Sequence, residues 1–170
     1  MLPDSGQIDI RGKVTPLISM GAGFNGELTG IENLYINASL FGKTNQETSF
    51  LYKKIVSFAG IENFMDTKLK FYSSGMKARL SFAIAIFMEP DILLADEVLS
   101  VGDKDFREKC LKKIDNLKKD GMCLVFVSHN EKSINDFCDS CITLGENTII
   151  NETISTIKKQ EYAKYIIISK

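Results

Sequence analysis

The strongest constraint on the fold comes from two short apolar runs with an amphipathic helix pattern between them. Residues 92–95 read Ile-Leu-Leu-Ala, and residues 122–127 read Met-Cys-Leu-Val-Phe-Val. Continuous apolar runs of this length are typical of strands that are buried on both faces. The stretch from Lys104 to Lys119 repeats its apolar residues at helical spacing, with one face formed by Phe106, Cys110, Ile114 and Leu117. Strand, crossover helix and strand in this order predict two parallel strands joined by a right-handed connection.

The stretch before these strands has helical periodicity. Apolar residues recur at helical spacing from Ile31 to Leu40 and from Glu47 to Ala59, and a third helix is predicted from about Gly75 to Met88. Nearer the N-terminus, the apolar residues on either side of Gly12 predict two short strands, or one strand and an extended run. The middle of the chain is therefore expected to be nearly all helix.

The change to alternating strands and helices after Pro90 marks the expected subdomain boundary. We predict an α/β fold that has a parallel sheet core and an inserted helical subdomain. Beyond the second strand, a short helix is expected from Glu131 to Cys138, and two edge strands are expected at Ile142–Leu144 and Thr148–Ile150. The predicted divisions are 1–26 (N-terminal strands and approach to the helical subdomain), 27–89 (helical subdomain), 90–152 (α/β core) and 153–170 (a lysine-rich, helical C-terminal tail).

Composition narrows the class of protein. The 170 residues are 44% hydrophobic and 25% charged, which is typical of one globular domain. The formal charge of −1 gives no overall field that favours nucleic acid, so no nucleic-acid partner is expected. The longest apolar stretch, Leu80 to Met88, is much shorter than the roughly 20 residues of a membrane span. The 4 cysteines indicate a reducing compartment, and Cys138 and Cys141 form a C-x-x-C pair without the second pair of a four-cysteine zinc site.

Two glycine motifs suggest nucleotide binding but lack the surrounding pattern. Residues 21–26 match G-x-G-x-x-G, yet the region that follows is helical and lacks a second strand with an acidic residue about 20 positions on. Residues 42–44 read Gly-Lys-Thr, like the end of the phosphate-binding loop G-x-x-x-x-G-K-[ST]. However, Asn37 occupies the position of the first glycine of that loop, and a helix precedes it instead of a buried strand. Residues 21–26 are therefore a weak match to a dinucleotide-binding turn, and a phosphate-binding loop at residues 42–44 is rejected.

Two adjacent carboxylates end the first apolar strand. Burying Asp96 and Glu97 without a partner would be costly, so a cation, hydrogen-bond donors or protonation must compensate. The two side chains diverge at the strand end, which allows one to hold Mg²⁺ through water while the other faces a nucleophile. The alternative is an acidic pair that caps the strand where it enters solvent.

A segment of small residues opens the third helix. Residues 72–76 read Tyr-Ser-Ser-Gly-Met. Free backbone N–H groups at a helix start, the hydroxyl groups of Ser73 and Ser74 and the helix dipole together predict an anion site. The alternative is that one of these serines is an N-cap and nothing more.

The chain's single histidine follows the second buried strand. Because the carboxyl ends of parallel neighbours meet at one edge of a sheet, His129 is expected near Glu97. A lone histidine is more often structural than catalytic, but this edge is where a sensor of the γ-phosphate would be needed.

Together these motifs resemble the ATP-binding subunit of ABC transporters over nearly the whole chain, from Pro3 to about Ile154. The resemblance implies ATP and Mg²⁺ as cofactors and a P-loop NTPase-like parallel sheet core. It identifies residues 72–76 as the signature loop, in which nucleotide would be contacted by Ser73, Ser74, Gly75 and Met76. It also implies that Asp96 is the Mg²⁺ ligand at the end of the Walker B strand, Glu97 the general base, Asp103 the nucleotide contact in the D-loop, and His129 the switch histidine.

Finer motifs resemble the branch of that family that exports polysaccharide or polyol, including O-antigen, capsule and teichoic acid. They are Val14-Thr-Pro-Leu, Gly21-Ala-Gly-Phe, Glu27-Leu-Thr-Gly and the run from Asp96 to Asp103. This resemblance implies an ABC-type ATPase that couples hydrolysis to export and is held at the cytoplasmic side of the cell membrane by an ABC-2-type permease. It also implies a second ATP-binding subunit, either an identical copy or an intact paralogue. No C-terminal carbohydrate-binding domain is expected, so contact with polysaccharide would be indirect.

Two departures from the family pattern qualify these expectations. Ser19 stands where the coupling glutamine is expected. The phosphate-binding loop is missing, because residues 1–6 resemble the stretch that follows it. The core is therefore expected to be truncated and incomplete, to lack the strand that carries this loop, and to be inactive alone. The alternatives are a non-catalytic module that lends its signature helix to an intact ATPase subunit, or a decayed gene fragment.

Overall fold

The structure is a computed structural model, and it describes residues 6–17, 21, 23–96, 103–128, 138, 140–144, 149–153 and 164–169. Two 3-10 turns, Glu62–Phe64 and Leu69–Phe71, connect the second and third helices. Within the described ranges, no helix combines the length and the apolar character needed to cross a membrane. In chain order the elements are β1 (Val14–Pro16), α1 (Gly30–Leu40), α2 (Asn45–Ala59), α3 (Ser74–Phe87), β2 (Ile92–Asp96), α4 (Lys104–Lys119), β3 (Cys123–Ser128), β4 (Ser140–Leu144), β5 (Ile149–Thr153) and β6 (Lys164–Ser169).

Three parallel strands form one side of the sheet. β2 pairs in parallel with β1 and, on its other side, with β3. In the ladder between β2 and β3, Ile92 lies opposite Cys123 and Asp96 lies opposite Val127, so both strands end at the same sheet edge. The amphipathic helix α4 connects them. The predicted α/β fold with parallel, crossover-linked strands is confirmed.

α3 is apolar around most of its circumference because it lies between two hydrophobic cores. On one side, Phe82 and Ile86 pack with residues of the sheet and of α4. On the other side, Leu80 and Ile84 pack with residues of α1 and α2. Protein interiors are close-packed, so a helix that is buried against both neighbours has a well-defined position. The sequence segment at its N-terminus is therefore held on a rigid support.

The helices begin and end at residues whose types favour those positions. Thr29 and Thr44 accept hydrogen bonds from the third residue of α1 and α2, and Glu32 and Glu47 complete a capping box at each start. α2 ends at Gly60, whose φ of 65° lies in the left-handed region that glycine adopts without strain. These local signals explain why the predicted bounds of the four helices agree with the observed bounds to within about two residues.

Neither glycine motif forms a nucleotide-binding turn. Gly21 and Gly23 have φ of 86° and 89°, in a turn whose Gly21 N–H donates to Ser81 Oγ at 2.9 Å. No helix begins directly at this turn, because α1 starts several residues later. Lys43 lies between α1 and α2, where its ammonium group pairs with Glu89 at 3.2 Å. The rejection of a phosphate-binding loop at Lys43 agrees with this position in a turn between two helices.

The prediction of a helical C-terminal tail is wrong for the last residues. Lys164–Ser169 forms β6, which is antiparallel to both β3 and β4. Residues 166–168 are three consecutive isoleucines, and their β-branched side chains favour a strand. Residues 154–163 lie outside the described part of the chain.

The sheet is mixed, because its second half is antiparallel. The strand order is β1-β2-β3-β6-β4-β5. β4 and β5 pair with each other as expected from their positions in the chain, but β4 is not an edge strand, because β6 covers its other side. Among residues 6–17, the described part of the N-terminal pattern, one strand forms, β1. The helix predicted to begin at Glu131 lies outside the described residues, and the subdomain boundaries stay predictions.

Candidate functional site

The start of α3 presents backbone donors at the protein surface. Ser73 is the N-cap of this helix, and its Oγ accepts a hydrogen bond from the Met76 N–H at 3.1 Å. The Ser73 carbonyl accepts from the Lys77 N–H at 3.1 Å. Because the first N–H groups of a helix have no acceptor within the helix, those of Ser74 and Gly75 are available to a ligand. Ser73 is thus an N-cap, and this role leaves donors for an anion at the same place.

Gly75 leaves open space beside these donors. A Cβ atom placed on Gly75 would have Ser73 Oγ as its nearest neighbour, at 3.8 Å, which is an ordinary van der Waals contact. The packing of the described chain therefore does not require a glycine at this position. Without a side chain, however, the backbone of the first turn can be approached closely by another group. The free space at Gly75 faces outward and suits a ligand or a partner.

Tyr72 anchors the residue before the helix start. Its side chain is buried, and its hydroxyl group donates to the Phe64 carbonyl at 2.7 Å. Burial raises the pKa of Tyr72 to about 12, so the hydroxyl group keeps its proton at neutral pH. A Cβ atom on Gly30 would lie 2.2 Å from the Tyr72 hydroxyl oxygen, so the close packing of Tyr72 requires glycine at that position. These contacts fix the segment that leads into α3.

Asp103 connects the start of α4 to the side of α3. It is the N-cap of α4, and its Oδ1 accepts from the Phe106 N–H at 2.9 Å. Its Oδ2 forms an ion pair with the guanidinium group of Arg79, a residue of α3. The same guanidinium group lies over the ring of Phe106, with 5.1 Å between its central carbon and the ring centroid. Both oxygens of the Asp103 carboxylate therefore have partners within the protein.

These residues surround an open depression of about 480 Å³. Its lining combines backbone donors, one cation, one carboxylate and apolar side chains, and it is formed by Gly60, Ile61, Phe64, Ser73, Gly75, Met76, Arg79 and Asp103. Four of the residues that the sequence proposed as nucleotide contacts thus meet at one place: Ser73, Gly75, Met76 and Asp103. Ser74 is exposed at the same helix start but does not line the depression. Donors, a helix dipole and a guanidinium group together form a surface that suits an anionic ligand such as a phosphate.

Of the other predicted site residues, the structure describes the backbone of Asp96 alone. Asp96 is the last residue of β2, next to the end of β3. Glu97 and His129 follow these two strand ends directly and lie outside the described residues, as does Ser19. Their roles stay predictions. Oxygen donors such as the Asp96 carboxylate are the ligands that Mg²⁺ prefers, so the residue type at this strand end fits that metal.

Sequence reasoning assigned no chemical role to Arg79. A signal for it is present in the sequence, because Arg79 interrupts the small and apolar residues with which α3 continues from Ala78 to Phe87. A cation at such a position is expected to need an anionic partner when it is partly buried. The partner, Asp103, lies 24 residues further along the chain, so periodicity alone did not reveal it.

Metal binding by a cluster of side chains finds no support within the described ranges. No group of three or more histidine, cysteine, aspartate or glutamate residues there is arranged to hold a metal ion. Cys110 is buried, and burial raises the pKa of its thiol to about 12. Such a thiol is neither a good metal ligand nor a reactive nucleophile at neutral pH.

The chain is similar to proteins of one family. A family model described as ABC transporter matches residues 2–100. A teichoic acids export ATP-binding protein, TagH, of Levilactobacillus brevis is 44% identical over 164 residues, which are 95% of this chain and 45% of that protein. An O-antigen export system ATP-binding protein, RfbB, of Klebsiella pneumoniae is 41% identical over 147 residues, which are 86% of this chain and 60% of that protein. The chain thus spans about half the length of these relatives.

A solved structure has a similar fold. It is described as the dimeric structure of a post-hydrolysis state of an ATP-binding cassette bound to ADP and phosphate. It superposes on this chain with a TM-score of 0.64 at 23% sequence identity. The superposition covers 84% of this chain and 63% of the chain in the solved structure.

Proposed function

Because this chain belongs to the ABC transporter family, we propose that it forms part of the ATP-binding subunit of an exporter of polysaccharide or polyol, such as teichoic acid or O-antigen. The names of the similar proteins, teichoic acids export and O-antigen export ATP-binding proteins, support this substrate class. In this role the chain couples ATP hydrolysis to transport across the cytoplasmic membrane. It does so from the cytoplasmic side, bound to an ABC-2-type permease.

One observation carries the proposal: the start of α3 offers unpaired backbone donors that nothing in the described chain covers. The N–H groups of Ser74 and Gly75 and the positive end of the helix dipole suit the terminal phosphate of ATP. The missing side chain at Gly75 allows the phosphate to approach the backbone. The hydroxyl group of Ser73 already caps the helix, so in this proposal it orients the first turn and Ser74 supplies the free hydroxyl group.

The remaining proposed roles belong to three residues that end or directly follow β2 and β3 in the sequence: Asp96, Glu97 and His129. Mg²⁺, when bound with ATP, neutralises charge that develops on the phosphates. Asp96 is proposed to hold this ion, directly or through water, because it ends β2 at the edge where β3 also ends. Glu97 is proposed to orient the attacking water and accept its proton, and His129 to donate a hydrogen bond to the γ-phosphate. Stabilising charge in the transition state by such fixed donors is the main source of catalysis in phosphoryl transfer.

The nucleotide site is proposed to be shared between two subunits. The 170 residues contain no G-x-x-x-x-G-K-[ST] loop, so they offer phosphate donors from the α3 side alone. A second ATP-binding subunit that has this loop would hold ATP against α3. Donation of α3 to such a subunit without turnover of its own is the second candidate function, and the same observation favours it.

The decisive experiment mixes this chain with a complete ATP-binding subunit whose own signature serine and glycine have been replaced. That subunit can still hold ATP on its phosphate-binding loop. Two copies of it cannot complete a nucleotide site, because neither has an intact signature segment. We expect this chain to restore ATP hydrolysis, measured as phosphate release, and the Gly75→Val variant to restore none. As a control, Lys119→Ala changes an exposed residue near the C-terminal end of α4, and this variant should restore hydrolysis like the unmodified chain. Equal restoration by the Gly75→Val variant would overturn the proposal.

A further inference from the structure

The carboxylate of Asp103 is committed to contacts inside the protein. One of its oxygens accepts from the Phe106 N–H at 2.9 Å, and the other is paired with Arg79. Asp103 also follows directly after residues 97–102, which lie between the end of β2 and the start of α4. It is therefore the first described residue beyond the predicted catalytic segment.

We propose that Arg79 and Asp103 are a positioning pair that locks the start of α4 to the side of the signature helix α3. The pair keeps the first turn of α4 and the donors at Gly75 in one fixed arrangement. This inference rests on the proposed function, since it concerns the same nucleotide site. It assigns Asp103 to positioning instead of to direct contact with nucleotide.

The chemistry of the pair requires arginine on the α3 side. The guanidinium group of Arg79 forms the ion pair with Asp103, and its central carbon also lies 5.1 Å from the centroid of the Phe106 ring, within the range of a cation–π contact. A planar guanidinium group can make both contacts, whereas an ammonium group is a compact and strongly hydrated charge. The two contacts converge on the first turn of α4, because Asp103 and Phe106 are its N-cap and third residue.

The two helices that the pair connects are each firmly packed. α3 is buried on both sides by the two cores. α4 is held by Phe106, Cys110 and Ile114, which are at most 3% exposed. Rigid elements transmit a displacement instead of absorbing it. A contact between them at the edge of the depression therefore fixes the relative position of the two site segments.

The pair also balances charge at the depression. Ser73 and Gly75 line this depression together with both members of the pair. A lone carboxylate at this place would repel a phosphate, and the guanidinium group of Arg79 compensates for it. Loss of Arg79 alone therefore leaves an uncompensated negative charge beside the phosphate donors, whereas loss of Asp103 alone leaves a positive one. The two losses should change ATP affinity in opposite directions.

Asp103→Ser and Arg79→Lys test the pair without removing the cap of α4. Serine is a good N-cap, so the bond from the Phe106 N–H is kept, but its side chain is too short to reach Arg79. Arg79→Gln removes the charge. Lys119→Ala is the matched control, because it removes the exposed ion pair with Asp115 near the other end of α4.

The first readout is amide hydrogen exchange of the full chain, which needs no ATPase activity. We expect exchange at Met76, Lys77 and Arg107 to be about fivefold faster or more in Asp103→Ser and Arg79→Lys, and unchanged in Lys119→Ala. Unchanged exchange in the two pair variants would overturn the positioning role, whether or not the protein is an ATPase.

The second readout is ATP hydrolysis by the subunit assembled with its permease and a second ATP-binding subunit. We expect kcat to fall about tenfold or more in Asp103→Ser and Arg79→Lys. The KM for ATP should rise in Arg79→Gln and should not rise in Asp103→Ser. A higher KM in both, with kcat unchanged, would show that Asp103 contacts nucleotide directly and would contradict the proposal. If amide exchange is faster in both pair variants but the unmodified assembly hydrolyses no ATP, the proposed function is wrong. The positioning role of Arg79 and Asp103 is then still supported.

Discussion

At the scale of single residues, Gly75 is informative because its own surroundings do not explain it. A methyl group would fit there with 3.8 Å to the nearest atom, so packing leaves space next to the backbone, and we propose that a ligand uses it. Gly30 is the opposite case, because a methyl group there would collide with the Tyr72 hydroxyl group. Two glycines of one subdomain thus serve different purposes, one for packing and one for access.

Gly75→Ala should separate stability from function. Alanine has a higher helix propensity than glycine, so the free energy of unfolding should rise by up to about 1 kcal/mol in a urea titration. The added methyl group occupies the approach to the donors, so restoration of ATP hydrolysis in a complete partner subunit should fall at least about tenfold. A variant that is more stable and equally active would show that the open space has no role in binding.

Tyr72→Phe should weaken the support under the signature helix. It removes the hydrogen bond to the Phe64 carbonyl, which should lower the free energy of unfolding by about 1–2 kcal/mol at pH 7. The measurement is chemical denaturation of both proteins, with Tyr52→Phe as a less buried control. An unchanged midpoint would contradict the assignment of Tyr72 as an anchor.

Comparison of wild type with Tyr72→Phe also tests how the contribution of Tyr72 to stability depends on pH. The pKa of Tyr72 is raised to about 12 in the folded chain from 10.0, so folding favours the protonated form. The stability from this group is therefore complete below pH 10 and is lost as pH rises from 10 towards 12. Cys110 titrates in a similar range but is present in both proteins, so the difference between wild type and Tyr72→Phe isolates Tyr72. That difference should shrink across this interval.

At the scale of elements, the start of α3 combines a structural cap with a proposed binding surface. Ser73 performs the first task through its bond to the Met76 N–H. Substitutions at this position can keep the cap while changing the charge, because aspartate is as good an N-cap as serine.

Ser73→Ala and Ser73→Asp should therefore behave differently. The alanine variant loses the cap and about 1 kcal/mol of unfolding free energy. The aspartate variant should keep its stability within about 0.5 kcal/mol, since a carboxylate also complements the helix dipole. Its negative charge would repel a phosphate, so its ability to restore ATP hydrolysis in a partner subunit should be lost. Denaturation curves and phosphate release measure the two effects, and an active Ser73→Asp variant would contradict an anion site at this helix start.

Elements with strong local signals were predictable from the sequence. The four helices have caps and an apolar face or run, and β2 and β3 are continuous apolar runs. β6 was missed because the lysines around it suggested a helix, while the strand forms by backbone pairing with β3 and β4, which are distant in sequence. Strand formation depends on the neighbours that cover a residue more than on intrinsic propensity.

At the scale of the whole molecule, the described surface is proposed to provide one side of a nucleotide site. The donors at α3 and the depression beside it are present, and the sequence has no G-x-x-x-x-G-K-[ST] loop to hold phosphates from the opposite side. The proposed function therefore includes a second subunit that supplies the opposite side.

The purified 170-residue chain should release no phosphate from ATP above background. The reason is that catalysis of phosphoryl transfer needs the nucleotide to be positioned before fixed donors can stabilise its charge, and this positioning would be incomplete. The measurement is phosphate release over time, compared with a complete ATP-binding subunit at equal concentration. Turnover that disappears in the Glu97→Gln variant would prove this expectation wrong.

The sequence by itself determined the helices and the parallel pairing of β2 with β3, and it predicted an anion site at residues 72–76. These features depend on short-range periodicity, caps and glycine, which are readable along the chain. The tertiary structure decided the contact of Arg79 with Asp103, the packing of Tyr72 against Gly30, and the insertion of β6. Those contacts join segments far apart in sequence. Periodicity reports that a residue is buried, but only the folded chain determines which residue lies opposite.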